Sequence, residues 1–482
     1  MNHVTPNMLD SYDEVQYPSL ARNQTHPAHV AALARIAGFQ MPPVECWRVL
    51  EIGCGNGANI LPLACDYPEA EFVGVDRARV TIEAARTFGR DLGLSNIELH
   101  ALDLLDWLPD GEFDYIIAHG VYSWVRPDVR QKILQICGRA LKPRGLAYIS
   151  YNALPGGHFR RIAWDFFRFH LRSEPDASAR MEGAREAARV MMNGKDPDAL
   201  AEAVRKEMAN LVDRDPAALY HDDLADPNDP FYLLDFVRQA AGHGLQYLGD
   251  AEPRRDDVHG VAFQTDDWLD ARQYGDFQAC RRFRETLLCR QGIALDRKIS
   301  LERFHDLFAA SRARPSGPEE GGREKFDLPK SGTLTTNHPI AKDVLRRLSS
   351  LWPDSTRVSE LPFTDFPPDE VAEMLMRLLE GGAIELRVSL PRMAKAVGER
   401  PTVSALARLQ IAAGCRTITN QRHQNVELKD DIGRTLVSLM DGTRDRKALS
   451  HALASAGAEA GQIEFLLEKK LGELHLLCLL TE

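Results

Sequence analysis

Cysteine pairs at metal-binding or disulfide-forming spacing are missing from this chain: its 8 cysteines, at positions 46, 54, 65, 137, 280, 289, 415 and 478, include no C-x-x-C pair. That argues against a zinc ribbon or a redox dithiol and for reduced, mostly buried thiols, and no metal site is expected. No run of 18 apolar residues occurs, so no membrane-spanning helix is expected. The first residues hold Asp10, Asp13 and Glu14 and lack the apolar core of an export signal, which predicts a cytoplasmic location. Positive charge is not in excess either. With 59 Lys and Arg against 70 Asp and Glu, the net charge of −11 disfavours nucleic-acid binding through bulk charge.

What is present is enough apolar material, 44% of 482 residues, for about two to four packed domains. The most informative segment is Arg48-Val49-Leu50-Glu51-Ile52-Gly53-Cys54-Gly55-Asn56-Gly57, an apolar strand running into three glycines spaced two apart. Glycine permits positive φ and close approach of a ligand to the main chain, and the following helix offers free N–H groups. A dinucleotide fingerprint can be laid on Gly53, Gly55 and Ala58. S-adenosylmethionine fits better, because it carries no phosphate and needs backbone approach more than a long anion-binding turn. The pattern E-x-G-C-G-x-G, with Glu51 two residues before the first glycine, resembles motif I of the class I methyltransferases.

Further carboxylates fall at strand ends. Glu71 to Asp76 reads as a second strand whose terminal Asp76 suits ribose hydroxyls. A third strand, Ile97 to His100, leads to Asp103 and Leu104, where the adenine of such a cofactor is met. The fourth runs from Phe113 to His119 and the fifth from Leu146 to Tyr151, with helices near 57–66, 78–93 and 127–142. This alternation predicts a doubly wound, Rossmann-like α/β sheet with its ligand at the carboxyl edge.

Ahead of the sheet, Thr25 reads as a helix N-cap with Pro27 in the first turn, and the segment 12–19, with Tyr12 and Tyr17, reads as an arm able to fold over the site. After Tyr151 the pattern becomes helical, and Gly244 to Leu248 reads as a sixth strand. The expected organisation is an arm and lid helix over 1–44, a cofactor-binding core over 45–158, a helical insertion over 159–228, the remainder of the catalytic and regulatory part over 229–310, a Pro/Gly-rich linker over 311–332, and winged-helix-like modules over 333–395 and 396–482. Residues 333–482 hold 19 Lys and Arg against 20 Asp and Glu, which favours protein binding or homodimerisation over nucleic acid for these modules.

Several segments together resemble bacterial methyltransferases that carry a methyltransferase regulatory domain, a group that includes the rickettsial protein-lysine methyltransferases acting on outer-membrane protein. They are Tyr17-Pro18-Ser19, Gln24 to Pro27, the loop at 51–57, Ala118 to Val125, Ser150-Tyr151-Asn152, Asn228-Asp229-Pro230 and Gly244 to Leu248, spanning most of residues 12–300. Leu154 departs from the aromatic that relatives often carry there. The resemblance implies S-adenosylmethionine as cofactor, held by Tyr17, Glu51, Gly53, Cys54, Gly55, Gly57, Asp76, Asp103, Leu104 and His119, and a protein lysine as acceptor. His119, Tyr122, Trp124, Tyr151 and Asn152 are the candidates for the acceptor pocket. His119 reads either as a proton acceptor or as a positioning group, and Trp124 either as pocket wall or as core. A small metabolite or glycan precursor as methyl acceptor, or a cofactor-binding regulator without turnover, are the alternatives.

Overall fold

The computed structural model describes residues 15, 17, 20–195, 197–253, 265, 267–318, 320–329, 332–363, 365–455 and 463–481. Its centre is a seven-stranded sheet: β1 Arg48–Ile52, β2 Glu71–Asp76, β3 Ile97–Ala101, β4 Phe113–Ala118, β5 Leu141–Asn152, β6 Leu245–Asp250 and β7 Phe283–Arg290. The order is β3-β2-β1-β4-β5-β7-β6, with β1 to β5 parallel and β7 antiparallel to both β5 and β6. The chain builds outward from β1 to β3, then returns to add β4 on the other side of β1. The reversal between β1 and β4 opens a crevice at their carboxyl ends.

Strand parity divides two cores. Val49, Tyr115, Ile117, Tyr148 and Leu287 pack on one face, with the helix Pro27–Ile36. Leu50, Ile116, Ile149, Tyr151 and Leu288 pack on the other, because successive strand side chains point to opposite faces. The first core continues through Phe304 and Phe326 to Ile340, Val344 and Leu375, so the helices Pro339–Leu351 and Pro368–Glu380 share one apolar interior with the sheet. Residues 403–480 have a core of their own, and so does the insertion. The insertion helices Ala177–Met192, Ala199–Val212 and Pro216–Asp223 start at Asp176, Asp198 and Asp215, each of which accepts backbone N–H groups of its own first turn.

Two local expectations are corrected. The N-cap of Pro27–Ile36 is His26, whose Nδ1 accepts from the Ala28 N–H at 3.2 Å. Thr25 instead closes a short 3-10 turn, and its hydroxyl donates to the Arg22 carbonyl at 2.7 Å. The segment expected as a linker carries strands: Glu324–Asp327 pairs antiparallel with Arg314–Pro318 on one side and with Thr333–Thr336 on the other, with Phe326 buried beneath. Gly321 and Gly322 make the turn between two of these strands, while Pro315, Gly317 and Pro318 lie within the first. The seventh strand, which the sequence does not locate, is Phe283–Arg290.

Arg284 on β7 is fully buried and reaches Asp276 through Nε and Nη2, both at 2.8 Å, and Asp250 through Nη1 at 2.7 Å. Its guanidinium ties β7 to β6 and to the helix Trp268–Ala279. Removing one member of such a network strands charge in the interior. Arg284→Ala is expected to cost about 3–5 kcal/mol in a urea titration; a loss below about 1 kcal/mol would mean that water compensates the two aspartates.

Candidate cofactor and acceptor site

The turn after β1 is shaped by its glycines. Gly53, Gly55 and Gly57 have φ of 74°, 52° and 80°. A Cβ on Gly53 would lie 2.4 Å from Val121 Cγ2, and one on Gly57 2.7 Å from Leu61 Cδ1, so these two close-pack the turn against its neighbours. A Cβ on Gly55 would meet nothing within 4 Å. Its backbone faces open space, a main-chain cradle of the kind a ligand fills.

A cavity of about 550 Å³ opens beside this turn, lined among others by Gly53, Asp76, Asp103, Leu104, Gly120 and Trp124. Asp76 is held by the turn itself, accepting the Gly55 N–H and the Ala78 N–H at 2.9 Å each. Asp103 caps its own short helix by accepting the Leu105 N–H at 2.9 Å. Trp124 has a buried indole N–H with no acceptor among the described residues. Gly53, Asp76, Asp103 and Leu104, expected at the cofactor, and Trp124, expected at the acceptor, thus lie on one cavity. Cys54 contributes only its backbone: its thiol is buried against Gly74, where a Cβ would come within 2.9 Å of the sulfur.

Glu51 is 4% exposed and burial pushes its pKa up to about 8. Oε1 accepts from the Asn59 amide at 2.7 Å, whereas Oε2 is buried without a partner among the described residues. A buried, half-satisfied carboxylate beside an open cradle is suited to a cationic ligand group. An α-ammonium would supply the missing donors, so the residues fit S-adenosylmethionine.

His119, at the end of β4, bonds the Tyr148 hydroxyl through Nδ1 at 2.8 Å and lies edge-on to Phe283. Burial, with the nearby Arg22 guanidinium, drives its pKa down to about 3, so it is neutral at physiological pH. Burial above all, and then the charge of the nearby Glu285 carboxylate, push the Tyr148 phenol well above its usual range. The Glu285 carboxylate receives the Gln24 amide at 2.7 Å.

The remaining pocket candidates are elsewhere. Tyr122 and Tyr151 are fully buried in an aromatic cluster with Phe231 and Phe236, their hydroxyls bonded to Gln239 at 3.1 Å and Thr286 at 3.1 Å. Parity puts Tyr151 on the sheet face opposite Tyr148, in the apolar core that also holds Tyr122, which corrects the expectation that Tyr122 and Tyr151 line a pocket. Asn152 is 2% exposed and bonds Asn228 at 2.8 Å beneath the insertion. Tyr17 does not line the cavity; its hydroxyl donates to Asp222 at 3.2 Å on the insertion. Tyr12, the other tyrosine of the arm, lies outside the described residues. Residues missed in the sequence are Arg22, Asn59, Tyr148 and Glu285. Glu285 alone left a signal there, as a carboxylate inside an apolar strand.

A doubly wound sheet with a glycine cradle after β1 and carboxylates at the ends of β2 and β3 defines a nucleoside-cofactor domain of the Rossmann-like class. Family models agree with this and extend it: a methyltransferase domain matches residues 49–145, a predicted methyltransferase regulatory domain residues 215–290, and the C-terminal winged helix domain of PKMT residues 399–471. The uncharacterized protein RP789 of Rickettsia prowazekii (strain Madrid E) is 31% identical over 92% of this chain and 85% of its own length. PKMT2 from Rickettsia typhi superposes with a TM-score of 0.84 at 25% identity, covering 97% of this chain and 100% of that one. Its complex with AdoHcy, at 24% identity and a TM-score of 0.83, has the same fold. The chain belongs to the S-adenosylmethionine-dependent methyltransferases that combine a methyltransferase domain with a regulatory domain and a C-terminal winged helix. Among the described residues, no helix is long and apolar enough to cross a membrane.

Glu51 also sets a pH dependence. Its carboxyl titrates near 4.5 when unfolded and near 8 when folded, so the native state holds the extra proton between these values and loses stability as pH rises through the window. Glu51→Gln removes this term. The stability of Glu51→Gln relative to the native chain should therefore grow from pH 5 to pH 8, by up to about 1.4 kcal/mol per pH unit. Urea titrations across the window read it, and a pH-independent difference would mean that the carboxyl ionises freely.

Proposed function

We propose that this methyltransferase acts on the side-chain amine of lysine in a protein substrate. The observation that carries this reading is likeness over the whole chain, insertion and tail included, to PKMT2 from Rickettsia typhi. A match limited to the sheet domain would be compatible with many acceptors.

The residues on the cavity and on the turn beside it take consistent roles. Glu51 would receive the α-ammonium of the cofactor, the Gly53 to Gly57 turn would admit its amino acid portion, and Asp76 would take the ribose hydroxyls. Asp103, Leu104 and Trp124 would surround the adenine. When bound, S-adenosylmethionine supplies a methyl group on a sulfonium, already a good leaving group. The protein's part is then to present a neutral amine in line and to exclude water. Desolvation in a buried channel favours the neutral amine. His119, too acidic to store an ammonium proton at neutral pH, is a poor general base but, as a neutral imidazole, a hydrogen-bond partner for an amine. It would orient the amine, whose proton leaves to solvent.

The test is incubation of the pure protein with methyl-labelled cofactor and a cell lysate, followed by acid hydrolysis. Label is expected in protein and is expected to be recovered as methylated lysine; label confined to small molecules, nucleic acid or another amino acid would overturn the proposal. Gly55→Asp serves as the control. An aspartate there puts a second carboxylate by Asp76 and a side chain into the cradle, and should weaken S-adenosylhomocysteine binding at least about 100-fold while the chain, strained at φ 52°, still melts cooperatively. Native-like affinity, read by calorimetry, would remove the glycine turn from the cofactor site.

A further inference from the structure

The C-terminal domain contributes a β-hairpin, Thr417–Thr419 paired antiparallel with Asn425–Glu427, whose tip is driven into the interior. Arg422 and His423 at that tip are fully buried, although tips of surface hairpins ordinarily lie in water. The tip is braced from several sides. Asn420 Oδ1 accepts the Arg422 and Gln424 N–H groups at 2.9 Å each, and Asn420 Nδ2 donates to the Leu477 carbonyl at 2.9 Å. The Arg422 guanidinium donates to the Pro353 carbonyl at 2.6 Å and to Ser355 Oγ at 2.9 Å, and Arg387 grips the Arg422 carbonyl at 2.7 Å. His423 is held at φ 57°, a left-handed backbone uncommon outside glycine.

That conformation aims the imidazole at the cofactor turn. His423 Nε2 lies 2.9 Å from Asn59 Oδ1, and Asn59 Nδ2 donates to Glu51 Oε1 at 2.7 Å. Protonation along this path is fixed by its neighbours. The Arg22 backbone N–H donates to the same Asn59 Oδ1 at 2.9 Å, so that atom is the amide oxygen. His423 must therefore carry its proton on Nε2. Its Nδ1 is buried without a partner among the described residues, so the ring spends its one N–H on Asn59 alone.

We infer that His423 is a positioning residue of the cofactor site, through which the C-terminal domain fixes Asn59 and thereby the Glu51 carboxylate that receives the cofactor's amino group. Without the imidazole N–H, the Asn59 oxygen keeps the Arg22 N–H and the Thr25 hydroxyl within 3.2 Å, but the amide is held less firmly, and with it the one donor that Glu51 has among the described residues. Cofactor affinity then depends on a residue 364 positions away in sequence, in a domain with its own core. The inference rests on the assignment of Glu51 to the cofactor's amino group.

Calorimetry of the full chain with S-adenosylhomocysteine tests it, with thermal melting alongside. Asn tolerates the left-handed backbone but is too short to reach Asn59, whereas Gln places an amide donor near the position of Nε2. His423→Asn is expected to weaken binding about ten-fold, and His423→Gln to restore it to within about three-fold of native. In a Glu51→Gln background, His423→Asn should cause no further loss, since both changes act on one path. Native-like affinity in a folded His423→Asn, or equal losses with and without Glu51→Gln, would overturn the inference by showing that the hairpin acts through general packing. Should His423→Asn fail to fold, a folded His423→Gln that has lost ten-fold in affinity would overturn it. Glu51→Gln alone binding as tightly as native would reject the underlying assignment, and this inference with it.

Discussion

A carboxylate taken out of water must be matched by donors or kept protonated, and at Glu51 this protein does part of each. Its side chain is nearly fully buried, one oxygen is held by the Asn59 amide, and the other has no protein partner among the described residues. An unmatched buried polar atom costs on the order of 1–3 kcal/mol, more than a typical hydrogen bond returns. The free protein thus carries a local penalty that a bound cation relieves. Three glycines in left-handed conformations could not hold such a group alone, because glycine adds freedom to the chain. Rigidity comes instead from Asn59, whose oxygen lies within reach of the Arg22 N–H, the Thr25 hydroxyl and His423.

The sheet then separates packing from chemistry by parity. On β5, Tyr148 points to the face that holds His119 and Glu285, whereas Ile149 and Tyr151 point to the apolar core beneath Phe236. One residue of slip would exchange a reactive environment for an inert one. The antiparallel β7 between β5 and β6 brings Glu285 beside Ser150 and Tyr148, where a parallel strand would need a further crossover. Its Arg284 faces the other way into carboxylates, so adjacent residues of one strand serve stability and site in turn.

Much of this was legible in the sequence where the cause is local. Strands β1 to β5 declare themselves as apolar runs, and Asp76 and Asp103 as polar stops at their ends. Gly53, Gly55 and Gly57 are the residues that a tight positive-φ turn demands. What escaped was long-range. Whether Tyr122 and Tyr151 face a pocket or a core depends on which helix covers that face, and no periodicity in residues 118–152 says that Phe236 will. Composition misled at 311–332, because glycine marks strand turns as readily as slack and proline can lie within an edge strand. His423 carries no local sign of its role, since it stands in a polar stretch that reads as an ordinary exposed loop.

The same long-range contacts explain why the tail and the arm belong to one machine. The arm bonds the insertion through Tyr17 and Glu285 of β7 through Gln24, while Asn425 of the C-terminal hairpin holds both the N–H and the carbonyl of Ala21 at 3.1 and 2.8 Å. Arg22, next in the chain, then bonds Asn59 and acts on both Glu51 and His119 through its charge. Its guanidinium opposes a proton on His119 and favours ionised Glu51. One arginine therefore biases two groups at once, and the neighbouring Ala21 is held through its backbone by Asn425 of the C-terminal domain. A winged-helix module attached only to recruit a substrate would have no need to insert buried polar residues beside the cofactor turn; desolvating them is justified only if their placement matters to the site.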